Sequence, residues 1–217
     1  MNHKSLKNIN TIIWDWNGTL LNDMDICISC MNSLLDKRKL PLLNISRYKS
    51  IFTFPVKDYY QKVGFDFQKE NFKIPATEFI RVYNTRLKEA PLHQEVEEML
   101  NFFKRMKFRQ IILSAMKRPE LLKSVEYTGV GKYFDFIAGI NDHYAHSKLE
   151  VAIEAADKIG LIPDETCLIG DTIHDYEVAR ELGVECILVA NGHQSFERLS
   201  RLNCKVVKDL GYLKKLF

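Results

Sequence analysis

The chain reads IIWDWNGTL over residues 12–20, an apolar run that stops at Asp15. Two later runs stop in a comparable way, because IILSA reaches Ser114 and CLIGDTIHD reaches Asp171. Open parallel sheets bind their ligands beyond the carboxyl ends of the strands. The three runs therefore predict that Asp15, Ser114 and Asp171 meet at one edge of a parallel sheet.

Around these runs, short apolar segments alternate with longer segments of helical spacing, a pattern typical of strands joined by crossover helices. The candidate strands are Thr11–Asp15, Gln110–Ser114, Phe134–Ala138, Thr166–Gly170, Cys186–Val189 and Lys205–Val207. The candidate helices are Leu92–Met106, Pro119–Thr128, Ser147–Ile159, Asp175–Leu182 and Ser195–Leu202. The alternation predicts a doubly wound α/β core built on a parallel, Rossmann-like sheet.

The first connection is the exception, since roughly seventy residues separate Leu21 from Leu92, far more than an ordinary βα loop needs. Helical apolar spacing recurs within it, in the segments Ile26 to Leu34, Pro55 to Val63 and Pro75 to Lys88. We therefore predict an inserted α-helical cap over residues 23–90, within a core formed by residues 1–22 and 91–217.

The cap segment is basic. Residues 23–90 carry twelve Lys and Arg against eight Asp and Glu, a net charge of +4 (12 − 8), whereas the remainder of the chain carries −1 (3 − 4). An ordinary solvated surface explains such an excess. The alternative is an anionic substrate bound beneath the cap, and the sequence leaves both interpretations open.

The composition indicates a folded protein, with 46% hydrophobic and 27% charged residues in a chain of 217. Its net charge of +3 includes no run of like charge long enough for a nucleic-acid arm. No apolar stretch approaches transmembrane length, and Asp15 comes too early for a signal-peptide core. We expect a cytoplasmic monomer or homodimer whose partners include neither nucleic acid nor a membrane.

Motifs of several other enzyme classes are missing from the sequence. Neither GxGxxG nor GxxxxGK[ST] occurs, so the main nucleotide-binding loops are absent. The five cysteines are an odd number, and the CxxC of Cys27 and Cys30 lies in a helical pattern with no second ligand pair nearby. Packing is therefore the predicted role of the cysteines.

The residues at the strand ends suit the hydrolysis of a phosphate ester. The Asp15 carboxylate can attack phosphorus and form an aspartyl-phosphate, which water then hydrolyses. Asp15 and Asp171 can hold Mg²⁺, a hard cation that prefers carboxylate oxygens, and Asp175 can hold a metal-bound water one helical turn later.

Other residues of these segments can bind the phosphate itself. Ser114, with the adjacent Ala115, and Lys148 are expected to hold the non-bridging oxygens as charge shifts during transfer. Gly18 and Thr19 would let backbone amides approach the phosphate closely.

Taken in order, DWNGT at residues 15–19, Ser114, Lys148 and GDTIHD at residues 170–175 resemble the four motifs of the haloacid dehalogenase superfamily. The helical insertion after the first motif resembles the C1 cap of that family. The nearest subgroup looks like the phosphoglycolate phosphatases. The resemblance implies a Mg²⁺-dependent phosphohydrolase acting on a small phosphorylated metabolite.

Asn17 departs from the pattern of the family, whose phosphatases carry an aspartate two residues after the nucleophile. That aspartate protonates the leaving group and activates the hydrolytic water, whereas an amide does neither. Acid/base catalysis contributes about 10² to 10⁴ in rate, so alkyl phosphates should turn over slowly. The resemblance also implies a metal contact from the backbone carbonyl at this position, which Asn17 retains.

Three functions compatible with Asn17 stay open at this point. The first is a phosphatase that tolerates the amide. The second is carbon–phosphorus cleavage, because phosphonoacetaldehyde hydrolases also lack the aspartate and form a Schiff base with a cap lysine, for which Lys57 lies at about the matching place. The third is a phosphate-binding regulatory protein with little turnover. Haloacid dehalogenation is disfavoured, since it has no use for a metal-binding GDTIHD.

Overall fold

The computed structural model describes residues 6–140 and 148–217. Six parallel strands form one sheet in the order β3-β2-β1-β4-β5-β6. The strands are β1 (Thr11–Trp14), β2 (Arg109–Lys117), β3 (Phe136–Ile140), β4 (Thr166–Gly170), β5 (Glu185–Val189) and β6 (Lys205–Val207). The strand order reverses its direction at β1, which makes the ends of β1 and β4 the natural ligand-binding edge.

Helices cover both faces of the sheet and also fill the long connection after β1. They are α1 (Met24–Lys37), α2 (Ile45–Ile51), α3 (Val56–Val63), α4 (Lys73–Arg86), α5 (Val96–Arg105), α6 (Arg118–Thr128), α7 (Lys148–Ile159), α8 (Ile173–Leu182) and α9 (Phe196–Leu199). In the part of the chain that the structure describes, none of these helices has the length and apolar character needed to cross a bilayer.

The alternation of side chains along β1 divides the core into two layers. Ile12 and Trp14 pack against α5 and α6 on one face of the sheet. Ile13 points to the other face, where the apolar residues of α7 and α8 cover it. Burial on both faces explains why β1 is a continuous apolar run, as expected of a central parallel strand.

The helices α1 to α4 lie within residues 23–90, and we call this segment the helical insertion. Many of its apolar side chains form a cluster of their own, separate from the two layers of the core. Its two connections to the sheet run side by side: the Asn22 amide donates to the Pro91 carbonyl at 2.8 Å, and the His93 amide donates to the Leu20 carbonyl at 3.0 Å. Because the chain leaves and returns at the carboxyl end of β1, the insertion lies directly over Asp15.

The predicted doubly wound α/β fold is confirmed, and the differences are local. β2 continues three residues beyond Ser114, and β3 begins two residues after Phe134. Helix α2 was not predicted, because seven residues are too few to display a repeated apolar spacing; Asn44 caps it by accepting a hydrogen bond from the Arg47 amide at 2.8 Å. Ser147, the predicted start of α7, lies outside the described residues.

Candidate active site

Three aspartates meet at the carboxyl edge of the sheet. Asp15 directly follows β1, Asp171 directly follows β4, and Asp175 lies in the first turn of α8. All three are buried, and each offers a carboxylate oxygen within 4.8 Å of the others. We call these residues and Lys148 the acidic floor.

Lys148, the first residue of α7, is the cation of the acidic floor. Its ammonium donates to Asp15 and to Asp175, and its side chain is buried. The other oxygen of Asp175 accepts from the Thr172 amide at 2.9 Å, and Thr172 caps α8 in return. A capping box therefore holds Asp175 rigidly against Lys148.

Thr19 and Gly18 pack against the carboxylates of the acidic floor. The buried Thr19 hydroxyl lies 2.9 Å from an Asp171 oxygen and 3.2 Å from an Asp15 oxygen, so it can donate to either carboxylate. Gly18 has φ +81°, and a Cβ there would come within 2.5 Å of both Asp171 and His193. Only glycine fits this position, since it combines a left-handed backbone with close packing.

The acidic floor has one ammonium against three carboxylates, so its formal charge is negative when all three carboxylates are ionised, and burial opposes that ionisation. Burial raises the pKa of Asp15 to about 8 although Lys148 lowers it, and burial raises the pKa of Asp171 to about 6. Burial also opposes ionisation of Asp175, but the Lys148 charge outweighs it and holds the pKa of Asp175 below its ordinary value. A cluster of hard oxygen donors that lacks positive charge fits a divalent cation such as Mg²⁺.

A second buried cluster lies on the other side of Gly18, and we call it the Asp23 cluster. One Asp23 oxygen accepts from the Gly18 amide at 3.0 Å and lies 3.3 Å from His193 Nε2. The other accepts from the Asn17 amide at 2.9 Å and from the Tyr83 hydroxyl at 2.6 Å. Donors from this chain thus surround the whole Asp23 carboxylate.

Charge is balanced within the Asp23 cluster. Burial opposes the ionisation of both partners, but His193 lowers the pKa of Asp23 to about 2 and Asp23 raises the pKa of His193 to about 9. His193 Nδ1 also lies 2.9 Å from the Tyr48 hydroxyl. Cys27 Sγ approaches Asp23 at 3.6 Å. The cluster is a closed ion pair, unlike the acidic floor.

The structure places most of the predicted site residues together. Ser114 is buried and accepts from the Met116 amide at 3.0 Å, and Ala115 lines the same cavity above Asp15. The Gly18 amide donates to Asp23 and to the Leu21 carbonyl, and the phosphate-binding role of this segment stays a prediction. Thr19 supports carboxylates through its hydroxyl and is absent from the lining of the cavity.

The predicted position of Lys57 is wrong. Lys57 lies on the exposed side of α3, with its ammonium 5.8 Å from the centre of the Phe67 ring. It does not line the cavity above Asp15. The helix is amphipathic, and its buried residues are Tyr59, Tyr60 and Val63.

Sequence reasoning missed Asp23, Tyr83 and His193. His193 follows β5 in the sequence NGHQ, so the rule applied to the ends of β1, β2 and β4 would have found it if extended to β5. Asp23 and Tyr83 carry no such signal, because their contact depends on how α1 and α4 pack.

The comparison with known proteins agrees with this geometry. Residues 12–189 match the family model described as haloacid dehalogenase-like hydrolase. The chain belongs to this family. The haloacid dehalogenase resemblance drawn from the motifs is therefore confirmed, and with it the expectation that the protein is an enzyme.

Relatives in the haloacid dehalogenase-like hydrolase family are distant in sequence and close in fold. Probable phosphatase IndB from Dickeya dadantii is 23% identical over 91% of this chain and 88% of its own length. A phosphoglycolate phosphatase from Chromobacterium violaceum is 21% identical over 87% of this chain and 88% of its own. A haloacid dehalogenase-like family hydrolase from Streptococcus pneumoniae superposes with a TM-score of 0.82, at 20% identity, over 97% of this chain and 99% of its own.

Proposed function

We propose that the protein is a Mg²⁺-dependent phosphatase that hydrolyses a small organic phosphate monoester through an aspartyl-phosphate on Asp15. The observation that carries this proposal is the acidic floor, where Asp15, Asp171, Asp175 and Lys148 converge at the carboxyl ends of β1 and β4. The names of curated relatives, among them a phosphatase and a phosphoglycolate phosphatase, support the reaction class.

Each residue of the floor has a task in this reaction. Asp15 attacks phosphorus, and the capping box keeps Asp175 and Lys148 in place beside it. Lys148 and Ser114 contact the phosphate oxygens, which gain charge during transfer. Asp15, Asp171, the Asn17 carbonyl and, through water, Asp175 would hold Mg²⁺, which when bound neutralises the floor and the phosphate.

Asn17 affects the second half of the reaction most. Its amide group donates to Asp23 at 2.9 Å and lies 2.9 Å from the Tyr83 hydroxyl, so it is fixed but cannot take a proton from water. Attack on an aryl phosphate needs little protonation of the leaving group, whereas hydrolysis of the aspartyl-phosphate benefits from a base. The covalent intermediate should therefore accumulate.

Carbon–phosphorus cleavage has no support in the geometry. A Schiff base requires a lysine that reaches the substrate carbonyl, and Lys57 lies outside the cavity. The binding-only alternative leaves unexplained why Asp15 is kept next to Lys148 and Asp171.

The test is a rapid-mixing experiment with an aryl phosphate and Mg²⁺. We expect a burst of phenol equal to the enzyme concentration, followed by slower steady turnover, and a hydroxylamine-sensitive phosphate label on the peptide that contains Asp15. EDTA should abolish both. Steady release of phenol without any label on Asp15, or release that EDTA does not affect, would overturn the proposal.

A further inference from the structure

The cavity above Asp15 has a volume of about 520 Å³ and is enclosed on its far side by the helical insertion. Besides Tyr83, six aromatic residues of the insertion line it: Tyr48, Phe52, Phe54, Tyr59, Tyr60 and Phe79. Most neighbouring rings among them pack edge-to-face, such as Phe52 and Phe54 with centres 5.5 Å apart, whereas Tyr48 and Phe52 are stacked. We call these residues the aromatic wall.

The cations of the insertion lie outside the aromatic wall. Residues 23–90 are all described and contain twelve Lys and Arg, yet none of these twelve lines the cavity. Arg38 lies 2.7 Å from Glu70 and 3.0 Å from Glu78, and Arg86 lies 2.9 Å from Glu89. The excess positive charge of the insertion therefore lies outside the cavity.

The core contributes little free positive charge to the same cavity. Among the described lining residues its lysines are Lys117 and Lys148, and Lys148 is held by Asp15 and Asp175. Lys117 and Glu120 lie at the core side of the cavity, and their formal charges cancel in sum. His193 is paired with Asp23, and His174 lies against Phe54 and 3.3 Å from Glu177.

We propose that the substrate is a phosphate monoester whose alcohol part is uncharged and aromatic, or similarly bulky and apolar, and that it packs on the aromatic wall. This rests on the proposed function and narrows its substrate class. A carboxylate such as that of phosphoglycolate would lose its water against the aromatic wall, which contains no cation, and this loss is unfavourable. An aromatic ring gains from burial and from edge-to-face contact with the wall.

Binding of non-hydrolysable phosphonates tests the proposal independently of turnover. Benzylphosphonate, ethylphosphonate and phosphonoacetate share the phosphonate group and differ in the attached ring, methyl group or carboxylate. In calorimetric titrations with Mg²⁺ we expect benzylphosphonate to bind at least about 10-fold more tightly than ethylphosphonate, and phosphonoacetate to bind most weakly. Phosphonoacetate binding as tightly as benzylphosphonate would overturn the inference.

Two variants and one control test whether the aromatic wall causes the expected binding preference. Phe54→Ala should lower the benzyl-over-ethyl preference severalfold, whereas Phe67→Ala, which removes a half-buried ring of the insertion that does not line the cavity, should leave it unchanged. Ile80→Arg places a cation in the lining and should raise the affinity for phosphonoacetate relative to benzylphosphonate. An equal loss in the Phe54 and Phe67 variants would count against the aromatic wall.

The same compounds separate this inference from the proposed function. Benzyl phosphate and phosphoglycolate both release an alkoxide, so their relative kcat/KM reports recognition more than leaving-group chemistry. If benzylphosphonate binds preferentially but no ester is hydrolysed, the phosphatase proposal fails and the binding preference stands. If phosphoglycolate is the better substrate, the phosphatase proposal stands and this inference fails.

Discussion

The acidic floor and the Asp23 cluster are two buried groups of similar composition on opposite sides of Gly18, and they differ in charge balance. Three carboxylates share one ammonium in the floor, whereas in the Asp23 cluster one carboxylate pairs with one imidazole and accepts three further hydrogen bonds. Buried charges that lack partners are costly. The acidic floor therefore fits a divalent cation better than the Asp23 cluster does, because its carboxylates outnumber the cations that the chain supplies.

The largest expected effect concerns the nucleophile in the floor. Asp15→Asn should reduce Mg²⁺-dependent phosphate release by more than about 10³-fold, because the amide is a poor nucleophile. Asp25→Asn, an exposed carboxylate of α1, is the matched control and should keep wild-type activity. Residual activity above about a tenth of wild type would contradict the assignment.

The metal requirement should distinguish the two clusters. Asp171→Asn should raise the Mg²⁺ concentration needed for half-maximal activity at least about 10-fold, with partial rescue at high Mg²⁺. Asp23→Asn should change that concentration much less, since donors of the chain already surround Asp23. Equal changes of the half-maximal Mg²⁺ concentration in the two variants would contradict the assignment of the metal site to the acidic floor. The measurement is a Mg²⁺ titration of aryl-phosphate hydrolysis.

The contact between Asn17 and Asp23 makes a paired substitution informative. Asn17→Asp alone places a second carboxylate 2.9 Å from Asp23, which should destabilise the protein and limit any gain in rate. The double variant Asn17→Asp with Asp23→Asn exchanges the two groups, keeps their hydrogen bond and supplies an acid/base at position 17. We expect it to raise alkyl-phosphate turnover by up to about 10² over wild type.

The readout is the ratio of alkyl-phosphate to aryl-phosphate kcat/KM, because kcat/KM reports the transfer step in which the leaving group departs, before the common intermediate is hydrolysed. Unfolding midpoints of both variants give the control for folding. If the double variant folds normally and still hydrolyses alkyl phosphates no faster than wild type, the missing proton-transfer group does not limit the reaction.

The smallest predicted effect is a pH dependence of stability from the Asp23–His193 pair. The pKa of folded His193 is about 9, above its ordinary value, so its contribution is complete below about pH 6.5 and is lost as the pH rises through 9. The pKa of folded Asp23 is about 2, so its contribution disappears only as the pH falls towards 2. The pair therefore stabilises the fold most between about pH 4 and 6.5.

Chemical denaturation of the metal-free protein checks this window. The difference in unfolding free energy between wild type and Asp23→Asn should shrink between about pH 6 and pH 10, by up to about 3 kcal/mol. Subtracting the unfolding free energy of the variant cancels the contributions of titratable groups that do not interact with the pair. A constant difference over this range would show that the pair is not ionised in the folded protein.

Much of the molecule followed from local patterns in the sequence. Apolar runs that stop at a polar residue located the ends of β1 and β4 and placed Ser114 in β2, and the carboxyl-edge rule then brought Asp15, Ser114 and Asp171 together. The acidic residues and Lys148 could be found because a parallel sheet aligns its strand ends whatever the details of packing. Helix α2 could not be found from the sequence, because its seven residues show no repeated apolar spacing.

The sequence by itself determined the α/β core, the helical insertion after β1 and the residues of the acidic floor, since all of these depend on strand order and on periods of two and 3.6 residues. Only the tertiary structure decided that Gly18 donates to Asp23, that Lys57 faces outward and that the basic insertion presents an aromatic wall to the cavity. These features depend on the rotation of each insertion helix about its own axis. Contacts such as that between Tyr48 and His193, 145 residues apart, set this rotation, and no local pattern records it.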